Sequence, residues 1–227
     1  DPATPTFGVS IPDGEDFWGL VGYQDGTLFI AGLQTLKAYD VTDPDDPQPM
    51  GSIAIPDGRL FNIEALEAVG ERVFLRRLEE LHVFDAADPT AMALLGSASV
   101  AYGDEAAFAE DHAYIGGHDA GLVVYETGHG GPPSEVGRYA AGGAFREAAV
   151  DGGRLYLSGG FFNAAETIRS YSLENPNEPQ LLTNAEVSDW DDLLIRDGIA
   201  YATYLLPGVF QYGILAADLS DPDAPHV

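Results

Sequence analysis

Residues 36–47 read Leu-Lys-Ala-Tyr-Asp-Val-Thr-Asp-Pro-Asp-Asp-Pro, an apolar run that ends at an aspartate and is followed by two prolines. The apolar run returns four more times at intervals of 41 to 46 residues, at 81–86, 122–127, 168–173 and 214–219. Proline fixes φ and removes a backbone donor, and the aspartate before it can hydrogen-bond the backbone two residues on. Each such turn therefore ends one strand and begins the next, and the pattern predicts five structural repeats.

Each repeat contains short apolar or aromatic runs between clusters of Gly, Asp and Pro, which is typical of antiparallel strands. Residues 63–77 come closest to a helical pattern, but alignment with the other repeats assigns them to two strands. Four strands within a period of about 40 to 50 residues are typical of propeller blades. We therefore predict an all-β propeller of four-stranded antiparallel blades as a single domain over residues 1–227. The repeat units cover approximately 1–42, 43–87, 88–128, 129–174 and 175–220, with 221–227 as a further turn segment.

One aromatic residue in each unit falls at the same place in the second strand. These residues are Phe29, Phe74, Tyr114, Tyr156 and Tyr201. Because a blade cannot bury both of its faces alone, we expect these rings to pack between neighbouring blades. Residues 6–11 follow the first turn, and we expect them to pair beside residues 214–219, completing the fifth blade and closing the ring at five. The alternative is a stretch of a longer array, since the turn segments at 1–7 and 221–227 are equivalent.

The repeated strings at 36–47, 81–89 and 214–225 resemble the LVIVD repeat, whose units read Gly-Leu-x-Ile-Val-Asp-Val-Ser-Asp-Pro-x-x-Pro. The likeness covers essentially the whole chain, although Met92 replaces the second proline of the third unit and the fourth unit loses the aspartates. The resemblance implies a β-propeller found mainly in secreted or surface-attached bacterial and archaeal proteins. It implies no catalytic residues.

The formal net charge of −27 excludes some classes of partner. Such a surface repels phosphate backbones and anionic lipids, so we expect neither nucleic-acid binding nor adsorption to anionic membrane surfaces. Residues 198–217 carry no charge, but Pro207 and Gly208 interrupt them and they align with two strands, so we predict no membrane insertion. Three explanations of the acidity stay open: solubility in high salt, an extracellular acidic surface, and charge that keeps exposed strands from pairing. The first is favoured by Lys37 being the one lysine among ten basic residues.

Stability is therefore expected to rise with monovalent salt. Self-repulsion acts over a Debye length of about 30 Å at 0.01 M salt and about 3 Å at 1 M. Melting curves between these NaCl concentrations test the halophilic interpretation. A melting temperature that stays constant or falls would contradict it.

Acidic residues cluster in two kinds of place. Asp40, Asp43, Asp45 and Asp46 resemble the opening of a calcium loop, but the glycine and glutamate of such a loop are missing, so we assign them to turns. A second set lies where the units enter their first, innermost strand. It comprises Asp104, Glu105, Glu147, Asp191 and Asp192, with Arg146 beside it and with looser counterparts at Glu64 and Asp16. Since innermost strands line the central channel, we expect this set to form an acidic rim that binds a hard cation, most plausibly calcium.

Two functions fit these features. The chain contains neither a Gly-x-Ser-x-Gly motif nor a His-Glu-x-x-His motif. The first hypothesis is a non-enzymatic, secreted or cell-surface scaffold that binds a protein or carbohydrate partner on one propeller face. The alternative is a hydrolase or lyase in which Glu105, Glu147 and Asp192 act as acid and base at the channel mouth.

Overall fold

The computed structural model describes residues 20–32, 34–56, 63–101, 103–117, 121–128, 130–139, 145, 147–159, 166–187, 190–205 and 212–219. Their regular structure consists of β-strands. Within these ranges no helix is long and apolar enough to span a bilayer. The chain divides into two compact units, Asp1–Ser97 and Ala98–Val227. That all 227 residues form one domain stays a prediction.

The first unit holds two four-stranded sheets in which consecutive strands pair. Blade 1 consists of β1 (Leu20–Gln24), β2 (Thr27–Ala31), β3 (Thr35–Asp40) and β4 (Gln48–Ala54). Blade 2 consists of β5 (Ile63–Val69), β6 (Arg72–Arg77), β7 (Glu80–Asp85) and β8 (Ala93–Ser99), which ends at the boundary between the units.

The second unit continues the same meander in three further sheets. Blade 3 consists of β9 (Gly103–Ala109), β10 (His112–Gly117), β11 (Gly121–Glu126) and β12 (Ser134–Tyr139). Blade 4 consists of β13 (Glu147–Asp151), β14 (Arg154–Gly159), β15 (Glu166–Ser172) and β16 (Gln180–Val187). Blade 5 contains β17 (Trp190–Arg196), β18 (Ile199–Leu205) and β19 (Tyr212–Asp218).

The sheets match the predicted repeats in number, and the last strand of a sheet comes from the start of the next predicted unit, as β4 (Gln48–Ala54) does. The strand at residues 81–86, for example, is observed as β7 (Glu80–Asp85), and the strand at 122–127 is observed as β11 (Gly121–Glu126). The predicted fold class, an all-β propeller of antiparallel blades with one blade per repeat, is confirmed. Residues 6–11, which we expect to complete blade 5, lie outside the described residues, so closure of the ring stays a prediction.

Within each unit a blade packs one face, called here its forward face, on the opposite or back face of the next blade along the chain. In the first unit Phe29 and Leu36 of blade 1 pack against Leu66, Val73 and Leu75 of blade 2. Burial on both faces explains why the middle strands are nearly continuous apolar runs and do not alternate with polar residues.

The same packing recurs in the second unit. Tyr114 of blade 3 packs with Leu155 and Leu157 of blade 4, and Tyr156 packs with Ile195 and Ala200 of blade 5. The predicted role of the second-strand aromatics therefore holds for these rings and for Phe29, and Phe74 is also buried. The prediction is wrong for Tyr201, which is 41% exposed. Tyr201 lies on the face of blade 5 opposite to Ile195 and Ala200, which are the residues that pack against blade 4.

The aspartates before and within the proline turns hold the backbone. Asp40 Oδ1 accepts hydrogen bonds from the amide and hydroxyl of Thr42 at 2.9 and 2.7 Å, and Asp88 Oδ1 accepts from Thr90 at 3.0 and 2.7 Å. Asp43 Oδ1 accepts from the amide of Asp45 at 3.0 Å. These bonds lower the pKa of the Asp40 and Asp88 carboxyls below their usual value. The assignment of the first acidic cluster to turns is confirmed.

The turns also support the preceding blade. In the first unit Gly51 of β4 lies directly against Pro89 and Thr90 in the turn of blade 2, with no room for a side chain. In the second unit the hydroxyls of Tyr114 and Tyr139 in blade 3 donate to the carbonyls of Pro176 and Asn177 in the turn of blade 4. The proline turn therefore ends a strand and also joins two blades.

Candidate functional site

The first strands of three successive blades bring the predicted rim residues together. Strands β9, β13 and β17 are neighbours in the second unit, with β13 in the middle. Asp104 and Glu105 lie near the start of β9, Glu147 is the first residue of β13, and Asp191 and Asp192 follow the first residue of β17. In the backbone these five residues thus lie near the start of three adjacent strands, and an acidic rim formed by their side chains stays a prediction.

Their register agrees with the predicted alignment where the ladder is regular. Glu105 pairs with Gly116, and Glu147 pairs with Ser158, two residues beyond Tyr114 and Tyr156 respectively. Both glutamates are partly exposed. For Asp104, Asp191 and Asp192 the structure describes the backbone alone. Arg146 and Asp16 lie outside the described residues.

The ladder is interrupted where most of these residues lie. The register of β9 shifts at Asp104, which falls between the paired residues Gly103 and Glu105. The register of β17 shifts between Trp190 and Leu193, where Asp191 and Asp192 lie. Such bulges bend a strand and redirect side chains, and they are over-represented next to functional sites.

Blade 2, in the first unit, shows how one carboxylate at this register is neutralised. Glu64 occupies a bulge between Ile63 and Ala65 in β5, and its Oε2 lies 2.8 Å from a guanidinium nitrogen of Arg76. The side chain of Arg76 is fully buried and that of Glu64 is 25% exposed. A charge removed from water in this way is tolerated because it is paired. Burial lowers the pKa of the neighbouring Arg77, although Glu80 acts in the opposite direction.

The residues equivalent to Arg76 carry no charge in blades 3 and 4. By the pairing of the second strand, the place of Arg76 is taken by Gly116 in blade 3 and by Ser158 in blade 4. A Cβ on Gly116 would lie 2.6 Å from the ring of Phe145, so packing excludes any larger residue there. This register therefore holds a cation in blade 2 and an uncharged residue in blades 3 and 4.

The described side chains alone do not make a metal centre. Among them, no group of three or more His, Cys, Asp or Glu residues is close enough to hold an ion. Glu105 and Glu147 would have to be joined by Asp104, Asp191 or Asp192. The predicted calcium site therefore stays a prediction.

Sequence reasoning missed a polar cavity in the first unit. Its volume is about 190 Å³, and Gln24, Phe29, Glu71, Arg72 and Pro89 are among its lining residues. Gln24 Nε2 donates to the carbonyl of Gly70 at 2.9 Å. The corresponding residue in the second unit is Asp151, whose Oδ2 accepts from the amide of Gly198 at 2.9 Å. These contacts join consecutive blades, and no motif at the sequence level signals them.

Comparison with known proteins supports the β-propeller fold but assigns the chain to no protein family. No protein-family model matches the chain. No curated protein sequence matches it either. The LVIVD likeness therefore stays a resemblance.

Several solved structures share the fold. Hydrazine synthase of Kuenenia stuttgartiensis matches with a TM-score of 0.62 and 14% identity over 89% of this chain and 63% of that one. Hsv2 of Kluyveromyces marxianus matches with a TM-score of 0.59 and 13% identity over 89% and 58%. A Saccharomyces cerevisiae complex of Dbp5 with Nup159, Gle1, IP6 and ADP matches with a TM-score of 0.55 and 8% identity over 88% and 58%. The chain spans about three fifths of the length of these structures. The chain is a β-propeller protein, built from five blades in succession.

Proposed function

We propose that this propeller is a non-enzymatic scaffold, secreted or on the cell surface, that binds a protein or carbohydrate partner at the end where its first strands begin. The observation that carries the proposal is the acidic rim of the second unit, where three adjacent strands begin with carboxylates. Two of these strands are bulged at the acidic residues. Regular blades thus form the framework, and the irregular strand ends form the contact surface.

The chemistry of the rim indicates what it would bind. Carboxylates accept hydrogen bonds from the ammonium and guanidinium groups of a protein and from the hydroxyls of a sugar. The net charge of −27 favours a basic protein, because long-range attraction accelerates its approach. The same donor set suits calcium, which takes six to eight oxygen ligands in adaptable geometry. We therefore propose Ca²⁺ as a second ligand of the rim.

The structural neighbours are compatible with a binding role. One of them is a complex in which Nup159 is bound with other proteins, whereas another is the enzyme hydrazine synthase. A shared fold does not determine function, so the proposal rests on the rim.

Partner capture with rim variants tests this function. The parent protein and the double variant Glu105→Gln/Glu147→Gln are each applied to a glycan array and used as bait in a pull-down of secreted and surface proteins. Loss of a charge-assisted hydrogen bond of about 1.5 to 3 kcal/mol should weaken a rim-bound partner about tenfold or more. Glu110→Gln is the matched control, since Glu110 follows β9 at its opposite end and should leave binding unchanged.

Two results would contradict the scaffold. Equal capture by the parent and the double variant would show that the rim does not bind the partner. Turnover in a glycosidase, esterase or phosphatase screen, abolished by Glu147→Gln, would establish the hydrolase or lyase alternative with Glu105, Glu147 and Asp192 as its acid and base.

A further inference from the structure

The polar cavity of the first unit lies between blade 1 and blade 2, where β1 ends and β2 begins. Thr27 and Phe29 line it from blade 1, and Ala86 and Pro89 line it from blade 2. Its volume is about 190 Å³, and all of its lining residues belong to the first unit. The corresponding place between blades of the second unit shows what chemistry this cavity can hold.

In the second unit a long side chain bridges two blades at this place. Thr27 is the first residue of β2, and the first residues of β10 and β14 are His112 and Arg154. His112 Nε2 lies 2.9 Å from Asn177 Oδ1 in the turn of blade 4. Arg154 Nη1 donates to the carbonyl of Leu219 in blade 5 at 3.2 Å. Threonine is too short for such a bridge, so the cavity stands where later blades hold an imidazole or a guanidinium.

The acceptor that Arg154 uses has a counterpart at the cavity. Leu219 is the first residue after β19, and Ala86 is the first residue after β7. Their amides make the same hydrogen bond, from Leu219 to the carbonyl of Gly198 and from Ala86 to the carbonyl of Glu71, both at 2.8 Å. Ala86 also lines the cavity. Its carbonyl is therefore the equivalent acceptor for a guanidinium that enters the cavity.

The rest of the lining also suits a planar cation. Two carboxylates, Asp25 and Glu71, outnumber the single cation Arg72 among the lining residues. Gln24 Oε1 is buried, and no group in the described part of the chain donates to it. A buried acceptor left without a hydrogen bond is costly, and an added donor relieves that cost. Phe29 supplies aromatic surface, on which a guanidinium can stack.

We propose that this cavity binds the guanidinium group of an arginine that comes from outside the chain. The source is either an arginine side chain of a basic partner protein or the free amino acid. A guanidinium presents five donors in one plane, so it can bond a carbonyl and a carboxylate together, whereas the ammonium of lysine is a compact point charge. The site shares no residue with the acidic rim and does not depend on it.

Titration with capped tripeptides, followed by NMR amide shifts at constant ionic strength, tests the cavity. The peptides are acetyl-Gly-Arg-Gly-amide and the same peptide with lysine or citrulline in the middle. Citrulline has nearly the shape of arginine and no charge, so its peptide should bind about tenfold or more weakly than the arginine peptide. Free L-arginine is the fourth ligand. Tighter binding of the peptide assigns the site to a partner protein, and tighter binding of L-arginine assigns it to the amino acid.

Two pairs of variants localise the binding. Thr27→Arg places in blade 1 the residue that blade 4 has, so it should fill the cavity, abolish binding of the arginine peptide and raise the melting temperature. Ser52→Arg is the matched control, because it adds the same charge at an exposed residue of β4 that does not line the cavity. Glu71→Gln should weaken binding about tenfold, whereas Glu110→Gln, with the same change of charge, should bind like the parent.

Three results would overturn the proposal. The first is an arginine peptide that binds the parent no more tightly than the citrulline peptide does. The second is a folded Thr27→Arg, with the far-UV circular dichroism of the parent, that binds the arginine peptide as tightly as Ser52→Arg does. The third does not require Thr27→Arg to fold, and it is equal binding of the arginine peptide by Glu71→Gln and Glu110→Gln.

Discussion

Replacing Gly51 with alanine is expected to lower the melting temperature by about 2 to 12 °C. The new Cβ would lie against the carbonyl oxygen of Pro89 and 3.1 Å from backbone atoms of Thr90, and backbone cannot move aside as the end of a flexible side chain can. Overpacking of this kind costs about 1 to 3 kcal/mol, and each kcal/mol moves the melting temperature of a protein of this size by about 2 to 4 °C. Thermal unfolding followed by circular dichroism measures the shift.

Gly131→Ala is the matched control. A Cβ at Gly131 meets no heavy atom within 4 Å. Its melting temperature should equal that of the parent or rise slightly, because alanine restricts the unfolded chain. If Gly51→Ala is as stable as Gly131→Ala, the proline turn of blade 2 does not support blade 1.

The result bears on why the turn recurs in the sequence. An aspartate and a proline suffice to end a strand, and the bonds from Asp88 to Thr90 show that they do so here. The close approach of Gly51 to Pro89 adds a second function, since the turn fixes the distance between two blades. A repeat needs both functions because each blade is stable only against its neighbours.

The blades could be predicted from the sequence because turn chemistry and apolar runs recur together. Strand β6 (Arg72–Arg77) shows this, since its local pattern is close to helical and the repeat alone assigns it correctly. The register of Glu105 and Glu147 could be predicted for the same reason, because each lies at a fixed distance from the aromatic residue of the second strand.

Features that depend on contacts between repeats could not be predicted. The bulge that takes Asp191 and Asp192 out of the ladder has no turn residue to signal it. The ion pair between Glu64 and Arg76 joins two strands of one blade. Alignment of the repeats shows that the other blades lack this arginine, but it does not indicate that Arg76 pairs with Glu64. Tyr201 has the right residue type and register for burial, yet it is 41% exposed, so the repeat pattern alone does not fix the burial of this ring.

If the acidic rim binds calcium, as we propose, calcium should raise the melting temperature of the protein. A ligand that binds only the folded state at about 100 times its dissociation constant adds about 2.7 kcal/mol, which corresponds to a rise of about 5 to 11 °C in melting temperature. Glu147 is the residue to change, because β13 lies between β9 and β17. Its loss would remove the ligand that links the two bulged strands.

The most direct test compares the melting temperature in millimolar calcium with that in a chelator, with the ionic strength held constant by NaCl. It is made on the parent, on Glu147→Gln and on the control Glu110→Gln. If calcium binds at the rim, it should raise the melting temperatures of the parent and of Glu110→Gln by the same amount. The rise for Glu147→Gln should be clearly smaller. If calcium gives the parent no shift beyond that of matched NaCl, or if Glu147→Gln shifts as much as the parent, the rim is a solvated acidic mouth and not a binding site.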